Sequence, residues 1–97
     1  MEREHYRALI EKLLAENRDP KDFMMSALTL ATDGIKKGFY QDSDGKYSAL
    51  RHDIMAKHAS PRESHPIEWE QIERARNLLL EILQQTTPFF SLTQMNS

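Results

Sequence analysis

The chain contains no cysteine, which excludes both a disulfide framework and a thiolate metal centre. The usual staples of small secreted scaffolds are therefore out of reach, and a reducing, cytoplasmic setting is expected. Long apolar runs are missing as well. The opening residues, MEREHYRALIEKLL, are charged from Glu2 onward, unlike a secretory leader, and no stretch approaches the roughly 20 apolar residues of a membrane helix. With a mean hydropathy of −0.68, the expectation is a soluble, unexported protein with no membrane partner. Glycine is scarce, at three residues, and no Gly-rich phosphate loop is present. A nucleophile elbow and a paired His-Glu zinc motif are lacking too, so catalysis is not expected. Neither sign of charge dominates: a net charge of −2 and a pI near 6.1 argue against a dedicated nucleic-acid binder, which is normally strongly basic.

What the chain does have is helical periodicity. Ninety-seven residues suit one domain, and at this size only about 60 to 65 per cent of the unfolded surface is buried, so the core is modest. The expected fold is all-α: a small four-helix bundle with helices at about 2–17, 20–37, 46–59 and 66–86, followed by an irregular tail over 88–97. The longest periodic run, Pro66 to Thr86, is expected to organise the rest. Its apolar stripe takes in Trp69, Ile72, Leu79 and Leu83, widened in the second half by Leu78, Leu80 and Ile82. The first helix places Tyr6, Leu9, Ile10, Leu13 and Leu14 on one face, with Asn17 as a candidate left-handed terminus. Asp19-Pro20 then restarts the chain, Asp19 as N-cap and Pro20 as first helical residue. The turn is so short that these two helices should run antiparallel.

The second helix, rich in Phe23, Met24, Met25, Ala27, Leu28, Leu30, Ala31 and Ile35, is expected to be the most buried. Gly38 offers a left-handed stop, whereas Gly34 weakens the last turn. Phe39 and Tyr40 should fold back over the bundle. In the third helix Tyr47, Leu50, Ile54 and His58 share a face, Asp44 is the expected N-cap, and Asp53 sits four residues before Lys57, the spacing of a surface ion pair. Pro66 is expected to open the fourth helix.

Candidate chemistry is thin. Asp42, Asp44 and Gly45 match part of a calcium loop, but in that register position 12 is Arg51 where a glutamate is required. His5, His52, His58 and His65 are the possible zinc ligands. His52 and His58 lie about 120° apart around a helix, too far to share an ion, and no third or fourth ligand converges with them. No metal and no cofactor is therefore expected.

Charge is uneven along the chain. Residues 36–62 carry six cations (Lys36, Lys37, Lys46, Arg51, Lys57, Arg62) against three aspartates, whereas residues 63–97 carry two arginines against five glutamates. With Tyr40 for stacking, the basic segment 36–62 supports one reading, a nucleic-acid-binding regulator. The favoured reading is a small non-catalytic module that regulates or inhibits a larger partner protein. It would act as an adaptor, a small subunit, or an inhibitor of a host enzyme encoded by a mobile element. Phe89, Phe90 and Leu92 are the expected anchors, since a terminal segment is normally polar; the competing expectation is that the tail closes the bundle, with Phe89 and Phe90 against Leu79, Ile82 and Leu83. Arg51, Lys57 and Arg62 are the expected steering charges. The X-Pro bonds at Pro61 and Pro66, in a polar connector, are expected to suit a prolyl isomerase.

Overall fold

All four periodic segments are helices in the computed structural model, which describes residues 2–58 and 66–86, the side chains of Lys57 and His58 excepted. They are α1 (Arg3–Ala15), α2 (Pro20–Lys36), α3 (Lys46–His58) and α4 (Trp69–Thr86). The described residues contain no strand. The tail and the connector between α3 and α4, with Phe89, Phe90, Leu92, Arg62, His65 and Pro61, lie outside the described residues.

Cross-links between helices give their directions. Tyr6, near the start of α1, donates its hydroxyl proton to the carbonyl of Leu30, near the end of α2. Tyr47, at the start of α3, meets Thr32, late in α2, through a 2.5 Å hydroxyl bond. Asp53 and Lys46 of α3 pair with Arg74 and Glu81 of α4 at 2.6 and 3.3 Å. Successive helices therefore alternate in direction, an up-down-up-down bundle. Helices α2 and α4 form its central pair: each touches all three other helices, while α1 and α3 flank them without touching one another among the described residues. The core gathers Tyr6, Ile10 and Leu13 of α1, Phe23, Met24, Ala27, Leu28 and Ala31 of α2, Leu50 and Ile54 of α3, and Ala75, Leu78, Leu79 and Ile82 of α4. Each large aliphatic side chain so buried contributes about 1.5 to 3 kcal/mol.

The helix ends follow local chemistry, with three departures from the sequence expectations. Asp19 caps α2 as expected, accepting the Asp22 amide at 2.9 Å, and Pro20 follows it. The α2 terminus is also as expected: Gly38 takes a φ of 79°, and the amides of Gly38 and Phe39 donate to Ile35 and Gly34 carbonyls at 3.2 and 2.8 Å. Those two bonds are the paired closure of a Schellman motif. Helix α1, by contrast, stops at Ala15 with Glu16 extended (φ −80°, ψ 150°), and no described non-glycine residue has a positive φ. Asn17 is therefore not a left-handed terminus, because the chain is already extended as it runs toward Pro20.

The cap of α3 is Asp42, not Asp44. Its carboxylate accepts the amides of Tyr47 and Ser48 at 2.9 and 3.0 Å and the Ser48 hydroxyl at 2.8 Å. The turn over Asp42–Gly45, closed by Gly45 N–H donating to the Asp42 carbonyl at 3.2 Å, folds Asp42 back onto the helix start; Asp44 instead pairs with Lys46 at 3.5 Å. The third departure is at α4, which begins at Trp69 and not at Pro66. The Gln71 side chain accepts the Glu68 amide at 3.0 Å, one half of a capping box, with Ile67 and Ile72 packed on the core where a hydrophobic staple places them. Capping at Glu68 fixes the start three residues later than proline placement alone suggests.

Gly34 also reverses its expected role. It is buried in α2, where a Cβ would overlap the Tyr6 hydroxyl and sit 2.8 Å from Tyr6 Cζ and 3.3 Å from Tyr40 Cβ. Its hydrogen is what lets the Tyr6 ring reach the Leu30 carbonyl. The two aromatics after the helix do fold back as expected: Phe39 lies 5.3 Å from the Tyr6 ring, centroid to centroid, and Tyr40 is only 2% exposed. Helix α2 is less uniformly covered than its composition suggests, since Met24 is buried but Met25 and Ile35 face solvent.

Candidate functional site

Helix α4 is amphipathic, and its two sides differ in kind. Gln71, Ala75, Leu78, Leu79, Ile82 and Thr86 face the core. On the opposite side Trp69, Arg76 and Leu80, spaced i, i+7 and i+11, fall within about 40° of one another and span about 16 Å of helix. Trp69 is 73% exposed and Leu80 53%. Spacing puts Trp69 on the apolar stripe, but the core-facing arc is centred on Ala75 and Ile82, well round the helix from Trp69. An exposed tryptophan held at the first position of a long helix is notable because so large a ring normally finds cover.

Beside this stripe, α4 and the start of α2 leave a groove of about 300 Å³, floored by Phe23, Ile67 and Ile72 and walled by Trp69 and Arg76. The α1–α2 turn closes its far side with Glu16, Asn17, Arg18 and Pro20. Its two cations are differently engaged. Arg18 bonds Glu16 at 2.7 Å and the Ser26 hydroxyl at 2.8 Å. Arg76 lies over the Phe23 ring, 5.3 Å from its centroid, and makes no ion pair among the described residues. Such a cation-π contact contributes about 0.5 to 1 kcal/mol at an exposed site.

Of the residues expected to bind a partner, only Arg51 has a described side chain, and it is exposed on α3. Lys57 lies within α3, but its side chain, like Phe89, Phe90, Leu92 and Arg62, is outside the described residues. The basic segment is less available than its composition implies. Lys46 is tied to Glu81 and Asp44, and its hydrogen bond and attraction to Glu81 push its pKa up. Tyr40, expected as a stacking group, is buried beneath the α2–α3 loop, where desolvation first, and then Glu81 and Asp42, push its phenol pKa up. The Asp53 carboxylate binds Arg74 across the helix pair at 2.6 Å, an inter-helix contact that the Asp53-Lys57 spacing did not suggest. Asp42, half of the partial calcium motif, is engaged in capping. Partial burial pushes its pKa up, but bonds from Ser48, Tyr47 and Tyr40 outweigh this and hold it below the usual carboxylate value.

His5 and His52 are exposed on different helices, and the described residues include no group of three or more acidic or imidazole side chains arranged to hold a metal ion. No described helix is long and apolar enough to cross a membrane. The surface features that sequence reasoning missed, Trp69 with Arg76 over Phe23, had one legible signal. Trp69 is the single tryptophan of the chain, placed between Glu68 and Glu70. The chain matches no family model, no curated protein and no solved structure.

Proposed function

We propose that this chain is a non-catalytic protein-binding module that regulates or inhibits a larger partner by laying the outward side of α4 against it. The observation that carries this reading is the Trp69–Arg76–Leu80 stripe, with Trp69 73% exposed beside an apolar groove. Tryptophan and arginine are the residue types most enriched among energetically dominant interface positions, and a helix presents them without the entropy of ordering a loop. Phe89, Phe90 and Leu92, which lie outside the described residues, are further anchors in this reading. Arg51, Lys57 and Arg62 contribute steering toward an acidic patch, and prolyl-isomerase recognition at Pro61 or exposed Pro66 is a minor adjunct. A cytoplasmic location fits the cysteine-free composition.

The nucleic-acid alternative rests on the 36–62 segment and has less support, since Lys46 is paired and Tyr40 is buried. The test is photo-crosslinking in source cells from a reactive residue placed at Leu80, with the same residue at Glu11 of α1 as control. One protein species captured from Leu80 and not from Glu11 is expected. Equal capture from both positions, or from neither, contradicts the reading.

A further inference from the structure

Resting on that reading, we infer that the Phe23–Ile67–Ile72 groove takes one large apolar side chain from a peptide segment that also carries a carboxylate for Arg76. Volume sets the scale. At about 300 Å³ the groove lies at the lower limit of ligand pockets, room for a side chain or two and not for an extended cofactor. Its floor is Phe23, Ile67 and Ile72, so the seated group is apolar. Charge then selects what flanks it. Arg18 is already neutralised by Glu16 at 2.7 Å, which leaves Arg76 as the lining cation with no carboxylate among the described residues. Its guanidinium lies over the Phe23 ring at the groove wall, 5.3 Å from the centroid, with no ion pair among the described residues. An Arg–carboxylate contact at such a partly dry rim is charge-assisted, and stronger than a bond between neutral groups.

The same geometry disfavours a polynucleotide. Phosphate-backbone binding needs several convergent cations, whereas this groove is lined by two, of which Arg18 is already paired with Glu16. Glu16 in the lining also limits the peptide: one carboxylate placed at Arg76 is accommodated, and a long acidic run is not.

Trp69, the single tryptophan, makes the test direct, because its emission reports on the groove wall. Two pools of short synthetic peptides are titrated against the whole chain, each with a central Leu or Phe, one pool with a single flanking Asp or Glu and the other with a single flanking Lys or Arg. Single-stranded oligonucleotide is a third arm. The acidic pool is expected to blue-shift Trp69 emission, the other two to leave it unchanged. Arg76→Gln should weaken that response about tenfold, Arg76→Lys should restore much of it, and Arg76→Glu should switch the preference to the basic pool, with circular dichroism confirming the fold of each variant. A response to the basic pool alone, or preference unaltered in Arg76→Glu, overturns the charge assignment while leaving protein docking on α4 standing. A response to oligonucleotide, or to no probe, overturns the inference; Leu80 crosslinking then decides the fate of the broader reading separately.

Discussion

The two ends of this bundle treat aromatic side chains in opposite ways. At the end where α1 begins and α2 finishes, Tyr6 and Tyr40 are buried and Phe39 half-buried. Tyr6 satisfies its hydroxyl on the Leu30 carbonyl, and Tyr40 donates to Asp42 at 3.2 Å. A glycine is in place so that these rings fit. At the other end, where α2 and α4 begin, Trp69 faces solvent, and Arg76 lies over the Phe23 ring as partial cover. The first end is closed by its own residues. The second holds an apolar groove and an exposed indole on a rigid element, the features on which the proposed docking role rests.

Truncation should separate the ends most sharply. Tyr6→Ala is expected to cost about 3 to 5 kcal/mol, as large-to-small aromatic changes in cores do, measured by chemical denaturation. A cost of Tyr6→Ala near that of a surface change, about 0.5 kcal/mol, would break the contrast.

Gly34→Ala gives the next largest effect. Helix propensity alone favours alanine by about 1 kcal/mol, yet the new methyl group overlaps the Tyr6 hydroxyl and forces the ring off the Leu30 carbonyl. Overpacking of that kind costs about 1 to 3 kcal/mol, and it comes with a lost buried hydrogen bond. Net destabilisation is expected, and a raised melting temperature would show that the close approach is not limiting.

Acid should weaken the closed end first. Asp42 has a folded pKa below its unfolded value of 3.8, so its stabilising effect is fully present above that value and is lost as the pH falls through the lower folded pKa. In Asp42→Asn the decline in stability below about pH 4 should be shallower than in the parent chain. Parallel pH curves would assign acid sensitivity to other carboxylates.

A smaller effect is expected where the α2–α3 loop is held on α4. The Gln85 side chain accepts the Gln41 amide at 2.9 Å and donates to the Gln41 carbonyl at 3.1 Å. Both bonds are exposed, so Gln85→Ala should cost only about 0.5 to 1.5 kcal/mol. Hydrogen exchange at the Gln41 amide should nevertheless accelerate while amides of the α1–α2 turn stay unchanged; acceleration at both ends would mean that the ends are not independent.

The helices were legible in the sequence because periodicity and stop signals agreed: Asp19-Pro20 and Gly38 act through backbone geometry, which a residue carries with it wherever it is placed. What was not legible depends on neighbours distant in sequence. Gly34 reads as a weak point until Tyr6, 28 positions away, is brought against it. Asp42 and Asp44 are equivalent caps on paper, and only the turn between them decides which carboxylate reaches the Tyr47 and Ser48 amides. Pro66 signalled a helix start, but Gln71 placed the cap at Glu68. Trp69 fits an apolar stripe by spacing, and its exposure follows from where α1 ends and α2 begins relative to α4, a tertiary fact. The groove itself, built from residues on both sides of the fold, leaves no pattern along the chain.

The most direct test of the central claim is the affinity of Trp69→Ala for the protein captured by crosslinking from Leu80. Stability of that variant should stay within about 0.5 kcal/mol of the parent, since the ring is 73% exposed. Affinity should fall by at least about 2 kcal/mol, roughly thirtyfold, the loss that accompanies removal of an interface anchor. Unchanged affinity in a folded Trp69→Ala protein would contradict the assignment of the open end as the docking surface.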